Sequence, residues 1–373
     1  MLDQFLVSMP PTENNNSLYA LVLAGGSGRR FWPVSRDSHP KQLLNLFGGR
    51  TMIEESVGRL EGLVPPENIL VLTNPVQEEG VRKVLAGQLP PENIVAEPER
   101  RDTAPAIALA VAWVAARDEN ATMMVLPADH LIKNEEAFRD AMGHAANVAS
   151  STEALVTLGI KPTWACPGYG YIERAEEADL PDLDGGPAVY EVAQFREKPT
   201  SEVAQEYIEQ GNYSWNAGIF VWSIKTVRKE FADHCPELAD FVSTVAQSDK
   251  PEEAAMSGFG SLPKISIDFA LMENASRVLN IEATFDWDDL GSWISVAEYL
   301  DSDGEGNNRS NTGLTQIDSR ENIVFCDDNT HVGLLGVEDL VIIRTGDSLL
   351  IAKKDQADSI KALTDSLPPE LLK

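Results

Sequence analysis

The sequence predicts an α/β fold: a doubly wound, mainly parallel mixed sheet, followed by a small β-rich appendage at the C-terminal end. Short apolar runs alternate with segments of helical spacing, such as TAPAIALAVAWVAARD (103–118). Strands separated by helices favour parallel pairing through right-handed crossovers. The predicted strands are YALVLA (19–24), ILVLT (69–73), NIVAE (93–97), TMMVLPADH (122–130) and ALVTLGI (154–160).

The chain of 373 residues divides into three predicted segments. Residues 1–16 are interpreted as a loosely ordered extension, 17–300 as the main domain, and 301–373 as a small β-rich domain with a terminal helix. The stretch DSDGEGNNRSNTG (301–313) is rich in turn residues and predicts a linker. In open parallel sheets ligands bind beyond the carboxyl ends of the strands, which favours the loops after Ala24, Glu97 and Leu126 as the site.

The composition is strongly acidic, with 30 basic and 59 acidic residues and a formal net charge of -29. Because such a surface repels polyanions, we expect neither nucleic acid nor a membrane as a partner. The balance reverses between Gly28 and Lys41, where four Lys and Arg residues stand against one Asp. This basic island predicts a local site for an anion.

Several features indicate a soluble, cytoplasmic protein. The three cysteines, Cys166, Cys235 and Cys326, have neither zinc nor redox spacing, which is typical of a reducing compartment. The first 16 residues lack the basic region of a signal peptide. No apolar run reaches the roughly 18 residues that a transmembrane helix needs.

The stretch LVLAGGSGRRFWPVSRDSHPKQ (21–42) leads from a predicted strand into a glycine-rich loop. A dinucleotide fingerprint would need a third glycine where Phe31 stands, and a P-loop would need Gly-Lys-Ser/Thr, which is missing here. The remaining pattern, G-G-x-G-x-R-x-x-P followed by P-K-Q, resembles the sugar-nucleotidyltransferase signature. Its Trp-Pro-x-Ser-Arg core resembles the mannose-1-phosphate guanylyltransferase branch of that family.

The residue types of this loop suit a triphosphate. Glycines let backbone N–H groups approach phosphate closely, and Arg30 and Lys41, the predicted catalytic cations, would neutralise charge on the transferring and leaving phosphoryl groups. The alternative is a plain glycine turn with a solvated basic face. The nucleotide-binding residues predicted in this region are Leu23, Ala24, Gly25, Gly26, Gly28 and Arg29.

A second motif, EPERRDTAPAI (97–107), follows the third predicted strand. The carboxylate of Glu97 can accept hydrogen bonds from both N1–H and the N2 amino group of guanine, a donor pair that uracil and thymine lack. The motif matches the family pattern except that Asp102 stands where Asn is usual. Asp102 and Thr103 are predicted to bind nucleotide; the alternative is that Asp102 only caps the helix beginning near Thr103.

A third motif, LPADH (126–130), ends a predicted strand in an acid. An aspartate in this position can hold Mg²⁺ together with phosphate oxygens, so Asp129 is a predicted catalytic and metal-binding residue and Pro127 a nucleotide-binding one. The resemblance implies that the second metal ligand is Asp289 in FDWDDLGSW (285–293), with Asp286 and Asp288 left open. We interpret His130 as a positioning or buried residue because Mg²⁺ prefers oxygen.

Three further stretches match the sugar-phosphate side of the family. The resemblance implies that FREKP (195–199) contacts the sugar hydroxyls and the sugar phosphate, and that WNAGIFVW (215–222) and PGYGYIER (167–174) line the sugar pocket. The alternatives are an ordinary turn before a helix and a strand with a glycine bulge. The predicted sugar-phosphate-binding residues are Tyr169, Gly170, Glu197, Lys198, Asn216 and Gly218.

The resemblance covers residues 18 to 295 and implies a Rossmann-like nucleotidyltransferase catalytic domain over 17–300. It implies Mg²⁺-assisted transfer of GMP from GTP to α-D-mannose 1-phosphate, giving GDP-mannose and pyrophosphate by in-line attack. The alternatives are another hexose 1-phosphate, another NTP, or a catalytically silent regulatory subunit that binds nucleotide sugar. A homodimer is left open. Longer family members carry a cupin-like isomerase domain, and we expect no such second activity here.

Overall fold

The computed structural model describes residues 17–180, 183, 185–304 and 306–372. The predicted extension over residues 1–16 therefore lies outside the described residues. Within the described ranges, no helix is long and apolar enough to cross a membrane.

A sheet of nine strands in the described chain forms the centre of the main domain, in the order β3-β2-β1-β4-β8-β5-β9-β7-β6. Strands β3, β2, β1 and β4 pair in parallel, as do β5 and β9. Only β7 and β8 run antiparallel to their neighbours, so seven of the nine described strands point the same way. This confirms the predicted mixed, mainly parallel sheet, and strands β1 to β5 confirm the five predicted runs. The strands are β1 Leu18–Leu23, β2 Ile69–Thr73, β3 Ile94–Ala96, β4 Thr122–Pro127, β5 Leu155–Ile160, β6 Gly170–Glu177, β7 Val189–Glu197, β8 Tyr213–Ser223 and β9 Val278–Glu282.

Helices cover both faces of this sheet, so its central strands are apolar throughout, as is usual for parallel strands buried on two sides. The alanine-rich helix α3 packs against β1, β4 and α7 and is almost entirely buried. The helices of the described residues are α1 Met52–Gly58, α2 Glu78–Val84, α3 Thr103–Ala115, α4 Glu135–Ser151, α5 Ser201–Gln210, α6 Ile224–His234, α7 Pro236–Ala246, α8 Pro251–Gly258, α9 Trp293–Ala297 and α10 Ile360–Thr364.

The C-terminal region is β-rich, as predicted, but the interpretation of residues 301–313 as a linker is wrong in part. Two short strands lie there and join a five-stranded sheet of the described chain. Two polar residues of this stretch, Asn308 and Ser310, are buried. The side chain of Asn308 donates to Asp303 at 2.7 Å and to the Ser319 carbonyl at 3.1 Å. The strands are β10 Asp301–Ser302, β11 Arg309–Ser310, β12 Leu314–Ile317, β13 Ile323–Cys326, β14 Val332–Leu335, β15 Leu340–Thr345 and β16 Ser348–Lys353.

One hydrophobic cluster joins the C-terminal region to the glycine-rich loop region of the main domain. Trp293 of α9 is fully buried, and its ring centroid lies 5.3 Å from that of Phe31 and 5.0 Å from that of Phe325 in β13. Ile360 of α10 belongs to the same cluster. The packing around the loop therefore depends on residues from both regions.

Candidate active site

Two adjoining pockets open at the carboxyl ends of β1, β3 and β4, where the topology favours ligand binding. The Glu97 pocket has a volume of about 510 Å³ and the Lys41 pocket one of about 290 Å³, and Asp129 lines both. The predicted residues in the Glu97 pocket are Leu23, Gly25, Gly26, Glu97, Asp102, Thr103, Pro127 and Asp129. Those in the Lys41 pocket are Gly28, Arg29, Arg30, Lys41, Asp129 and Asp289.

Side chains hold the carbonyl groups of the glycine-rich loop. The amide of Gln42 donates to the carbonyls of Ala24 at 2.8 Å and Gly26 at 3.2 Å, and the hydroxyl of Ser35 donates to that of Gly28 at 2.8 Å. By contrast, the backbone N–H groups of residues 25–28 donate no hydrogen bond within the described part of the chain. Loops with such free N–H groups bind anions.

Gly28 lets this loop approach Lys41. Its φ is +58°, in the left-handed region that favours glycine. A Cβ atom at Gly28 would lie 2.5 Å from the backbone nitrogen of Lys41 and 2.8 Å from its Cβ. No other residue type fits this position without a shift of the backbone.

Lys41 is only 6% exposed and links the two predicted metal ligands. Its Nζ donates to Asp129 Oδ2 at 2.9 Å and to the backbone carbonyl of Asp289. Burial alone would raise the pKa of Asp129, but the Lys41 ammonium group outweighs it and holds this pKa below its usual range. Asp129 is therefore ionised at neutral pH.

Asp289 lines the Lys41 pocket, and its two neighbouring acids have structural partners instead. Asp286 accepts hydrogen bonds from two backbone N–H groups, at 2.9 and 2.7 Å, at the start of α4. Asp288 accepts from the Leu290 backbone N–H at 2.7 Å and the Tyr299 hydroxyl at 3.0 Å. The geometry thus favours Asp289 over Asp286 and Asp288 as the partner of Asp129.

The donor set suits one particular kind of metal. Among the described residues, no group of three or more His, Cys, Asp or Glu side chains is arranged to hold an ion. Asp129 and Asp289 supply two carboxylates, which fits Mg²⁺ bound through one or two carboxylates plus substrate phosphates. The buried His130 is not a ligand of this type: its Nδ1 accepts a hydrogen bond from Trp287 Nε1 at 3.1 Å, and burial lowers its pKa to about 3.

In the Glu97 pocket, the carboxyl group of Glu97 lies beside the glycine-rich loop. A Cβ on Gly25 would stand 3.8 Å from Glu97 Oε1. Burial raises the pKa of Glu97 to about 7, although the nearby Arg100 opposes the shift. No hydrogen bond from the described residues reaches this carboxyl group, so its acceptor atoms are available to a ligand.

Asp102 caps α3, and its role in nucleotide binding stays a prediction. Its Oδ1 accepts a hydrogen bond from the Thr103 backbone N–H at 2.9 Å. The Thr103 hydroxyl in turn accepts from the Ile267 backbone N–H at 2.8 Å. Arg29 lines the Lys41 pocket and pairs with Asp37 at 3.5 Å and with Asp365 of the C-terminal region at 3.3 Å.

The predicted sugar-phosphate residues lie together on β6, β7 and β8. A Cβ on Gly170 would stand 2.6 Å from Glu197 Oε2 and 3.4 Å from the Cβ of Asn216. The Asn216 amide donates to Asp268 at 2.8 Å and accepts from the Gly218 backbone N–H at 3.0 Å. Lys198 comes directly after Glu197 in the sequence. Its side chain is 66% exposed, and its Nζ lies 2.9 Å from Glu197 Oε1.

Tyr169 connects this group to the Lys41 pocket. Its hydroxyl donates to Asp289 Oδ1 at 2.7 Å, and its ring centroid lies 5.0 Å from that of Trp215 and 5.5 Å from that of Trp287. The hydrogen bond from Tyr169 to Asp289 therefore links the candidate sugar site to the candidate metal ligands.

Sequence reasoning missed several residues of the site. Gln42 was inside a quoted motif, and its place after Lys41 was a signal that could have been followed. Asp268 and Lys264 lie in KISIDFALM, which carries no motif, and Lys361 lies in the C-terminal tail. Only the fold brings these last three to the site.

Comparison with known proteins agrees with this geometry. Residues 19–305 match the family model described as nucleotidyl transferase, and residues 314–367 match the MannoseP isomerase/GMP-like beta-helix domain. Mannose-1-phosphate guanylyltransferase ManC of Salmonella typhimurium is 38% identical over 365 residues, covering 94% of this chain and 73% of the relative. An Escherichia coli (strain K12) mannose-1-phosphate guanylyltransferase is 36% identical over 365 residues, covering 94% and 74%.

A solved structure extends the likeness to three dimensions. The crystal structure from Thermus thermophilus, described as a mannose-1-phosphate geranyltransferase, has a TM-score of 0.83 and 34% identity. The match covers 94% of this chain and 99% of that chain. The chain therefore belongs to the mannose-1-phosphate guanylyltransferase family of nucleotidyltransferases.

Proposed function

We propose that this nucleotidyltransferase transfers GMP from GTP to α-D-mannose 1-phosphate, giving GDP-mannose and pyrophosphate. The observation that carries the proposal is the Lys41 pocket, where free N–H groups of a glycine loop, four Lys and Arg side chains and two carboxylates meet. The names of the relatives support the substrate pair. A cytoplasmic location, where GTP is available, is part of the proposal.

The chain acts by positioning and by charge stabilisation. An oxygen of the sugar phosphate attacks the α-phosphorus of GTP, and the bond to the bridging oxygen of the β-phosphate breaks, so pyrophosphate leaves with the electron pair. Lys41 is held by Asp129 and by the Asp289 carbonyl, so its charge needs no reorganisation during the reaction. Arg30, exposed at the pocket, supplies a second cation for the phosphates.

Asp129 and Asp289 would hold Mg²⁺, which supplies Lewis-acid neutralisation of the phosphate oxygens when bound. The hydroxyl of Tyr169 orients the Asp289 carboxylate through its 2.7 Å hydrogen bond. The ionised state of Asp129 leaves its oxygens free of protons that would compete with a cation.

We place the base in the Glu97 pocket and the sugar beside Glu197 and Asn216. Asn216 donates one amide hydrogen to Asp268 and accepts one hydrogen bond from the Gly218 N–H. One donor and one acceptor position of its amide therefore remain for sugar hydroxyls. Lys198 is exposed and can exchange its pairing with Glu197 for the incoming sugar phosphate.

Incubation of the protein with GTP, mannose 1-phosphate and Mg²⁺ tests the proposal. We expect equal amounts of pyrophosphate and GDP-mannose, measured by a coupled assay and by anion-exchange chromatography. Omission of the sugar phosphate is the control, because turnover without it would indicate hydrolysis rather than transfer. A folded protein that binds GDP-mannose and makes no product would support the silent regulatory subunit instead.

A further inference from the structure

A lysine from the C-terminal region lines the Lys41 pocket. Lys361 lies on α10, far in sequence from the glycine-rich loop, yet it shares this pocket with Arg30, Lys41 and Asp129. The main domain supplies the other described lining residues, so Lys361 is the contribution of the C-terminal region.

The segment that carries Lys361 is anchored to the loop region. Asp365, one turn further along, pairs with Arg29 at 3.3 Å. Trp32 Nε1 donates to the Leu371 carbonyl at 3.1 Å. On the other side of Lys361, Ile360 is buried in the cluster that the two regions share. These contacts hold the α10 backbone in a defined position beside the pocket.

The ammonium group of Lys361 has no carboxylate partner in the described part of the chain. Its side chain is exposed, and no ion pair reaches it from the described residues. Arg29, by contrast, forms ion pairs with Asp37 and Asp365. In a chain of net charge -29, a free cation beside a phosphate loop adds attraction for an anion where most of the surface repels one.

The order of the two pockets indicates which phosphates Lys361 can reach. Glu97 lines one pocket, Lys361 lines the other, and Asp129 lies where they meet. A nucleotide with its base beside Glu97 therefore has its α-phosphate near Asp129 and its β- and γ-phosphates in the Lys41 pocket. We propose that Lys361 binds these two terminal phosphates and thus the leaving pyrophosphate, an assignment that rests on the proposed function.

Binding of inorganic pyrophosphate tests this assignment without any need for turnover. By titration calorimetry with Mg²⁺ present, we expect Lys361→Gln to weaken pyrophosphate binding about tenfold, the loss typical of one charge-assisted contact. Lys361→Arg should restore most of the affinity. Lys353→Gln, the same change on β16 outside the pocket, should bind as the wild type does. Equal affinity of wild type and Lys361→Gln would overturn the assignment.

Kinetics separates this assignment from the proposed function. With GTP and mannose 1-phosphate, Lys361→Gln should raise the KM for GTP about tenfold and leave that for mannose 1-phosphate unchanged. An equal rise in both constants would indicate a merely structural role and contradict the assignment. If the wild type bound pyrophosphate through Lys361 but made no GDP-mannose, the proposed function would fail while the anion site stood.

Discussion

Glu97 is an acid whose ionisation state decides whether it can recognise guanine. Its pKa is raised to about 7 by burial, so near neutral pH a large fraction of the free protein carries a protonated carboxyl group. Only the carboxylate offers two unprotonated oxygens to the neighbouring donors of guanine. Recognition of the base should therefore depend on pH in the neutral range.

We expect the KM for GTP to fall as the pH rises from about 6 to about 8, because deprotonation of Glu97 creates the acceptor that guanine needs. Initial rates across this range provide the measurement. Glu97→Gln corrects for titration of GTP itself: its KM for GTP should be higher and should lose the part of the pH dependence that Glu97 causes. Identical pH profiles for the two proteins would exclude Glu97 from base recognition.

Asp129→Asn should lower kcat by about 100-fold or more, because the amide keeps the shape of the side chain but removes the charge that pairs with Lys41 and that would hold a metal ion. Asp140→Asn, an exposed position on α4, is the matched control and should keep full activity. Circular dichroism and the thermal midpoint establish that both variants fold. Near-wild-type kcat in folded Asp129→Asn would remove Asp129 from the reaction.

Lys198→Ala should raise the KM for mannose 1-phosphate and lower turnover, while the KM for GTP stays the same. The physical reason is that an exposed lysine beside Glu197 is available to the sugar phosphate and lies outside both pockets. Lys250→Ala, another exposed lysine paired with a glutamate, serves as the control. An unchanged KM for mannose 1-phosphate would contradict the assignment of the sugar phosphate to Lys198.

Among the individual residues of the site, those inside contiguous motifs could be predicted from the sequence, and those outside such motifs could not. Lys41 and Asp129 each follow a local pattern whose chemistry is readable without a structure. Asp268 acts through Asn216, and Lys361 reaches the loop only through tertiary packing, so neither has a local signal. For the same reason, spacing did not separate Asp289 from its neighbouring acids; their hydrogen bonds do.

The glycine-rich loop is the element to which we assign phosphate binding. We expect Gly28→Ala to lower both activity and stability, the latter by roughly 2–4 kcal/mol, because the new Cβ would meet Lys41 at 2.5 Å in a left-handed backbone. Gly26→Ala has nothing within 4 Å of its Cβ and should leave the free energy of unfolding unchanged. Urea denaturation compares the variants; equal stability of Gly28→Ala and wild type would contradict this packing.

The parallel half of the sheet was predictable because β1 to β5 are short apolar runs bounded by turn residues. Strands β6 to β9 were harder, since their polar and apolar residues mix and β8 joins two parts of the sheet by antiparallel pairing. Residues 301–313 look like a linker because polar residues dominate. The burial of Asn308 depends on partners such as Asn322 that the local sequence does not reveal.

For the molecule as a whole, the shared hydrophobic cluster couples the C-terminal region to the glycine-rich loop. Trp293→Ala should destabilise the protein by about 3–5 kcal/mol, because it removes the ring between Phe31 and Phe325. Trp164→Ala, at a side chain that is 55% exposed, should have a much smaller effect. Calorimetry should also show one unfolding transition in the wild type, and two separate transitions would contradict the coupling.

We propose that the site selects guanine and mannose 1-phosphate together. The most direct test is pyrophosphate release, with Mg²⁺, across the four common NTPs and a panel of hexose 1-phosphates. We expect release above background for GTP with mannose 1-phosphate and little for any other pair. Preferred release with UTP, dTTP or a different sugar phosphate would contradict the assignment of Glu97 and the sugar-side residues.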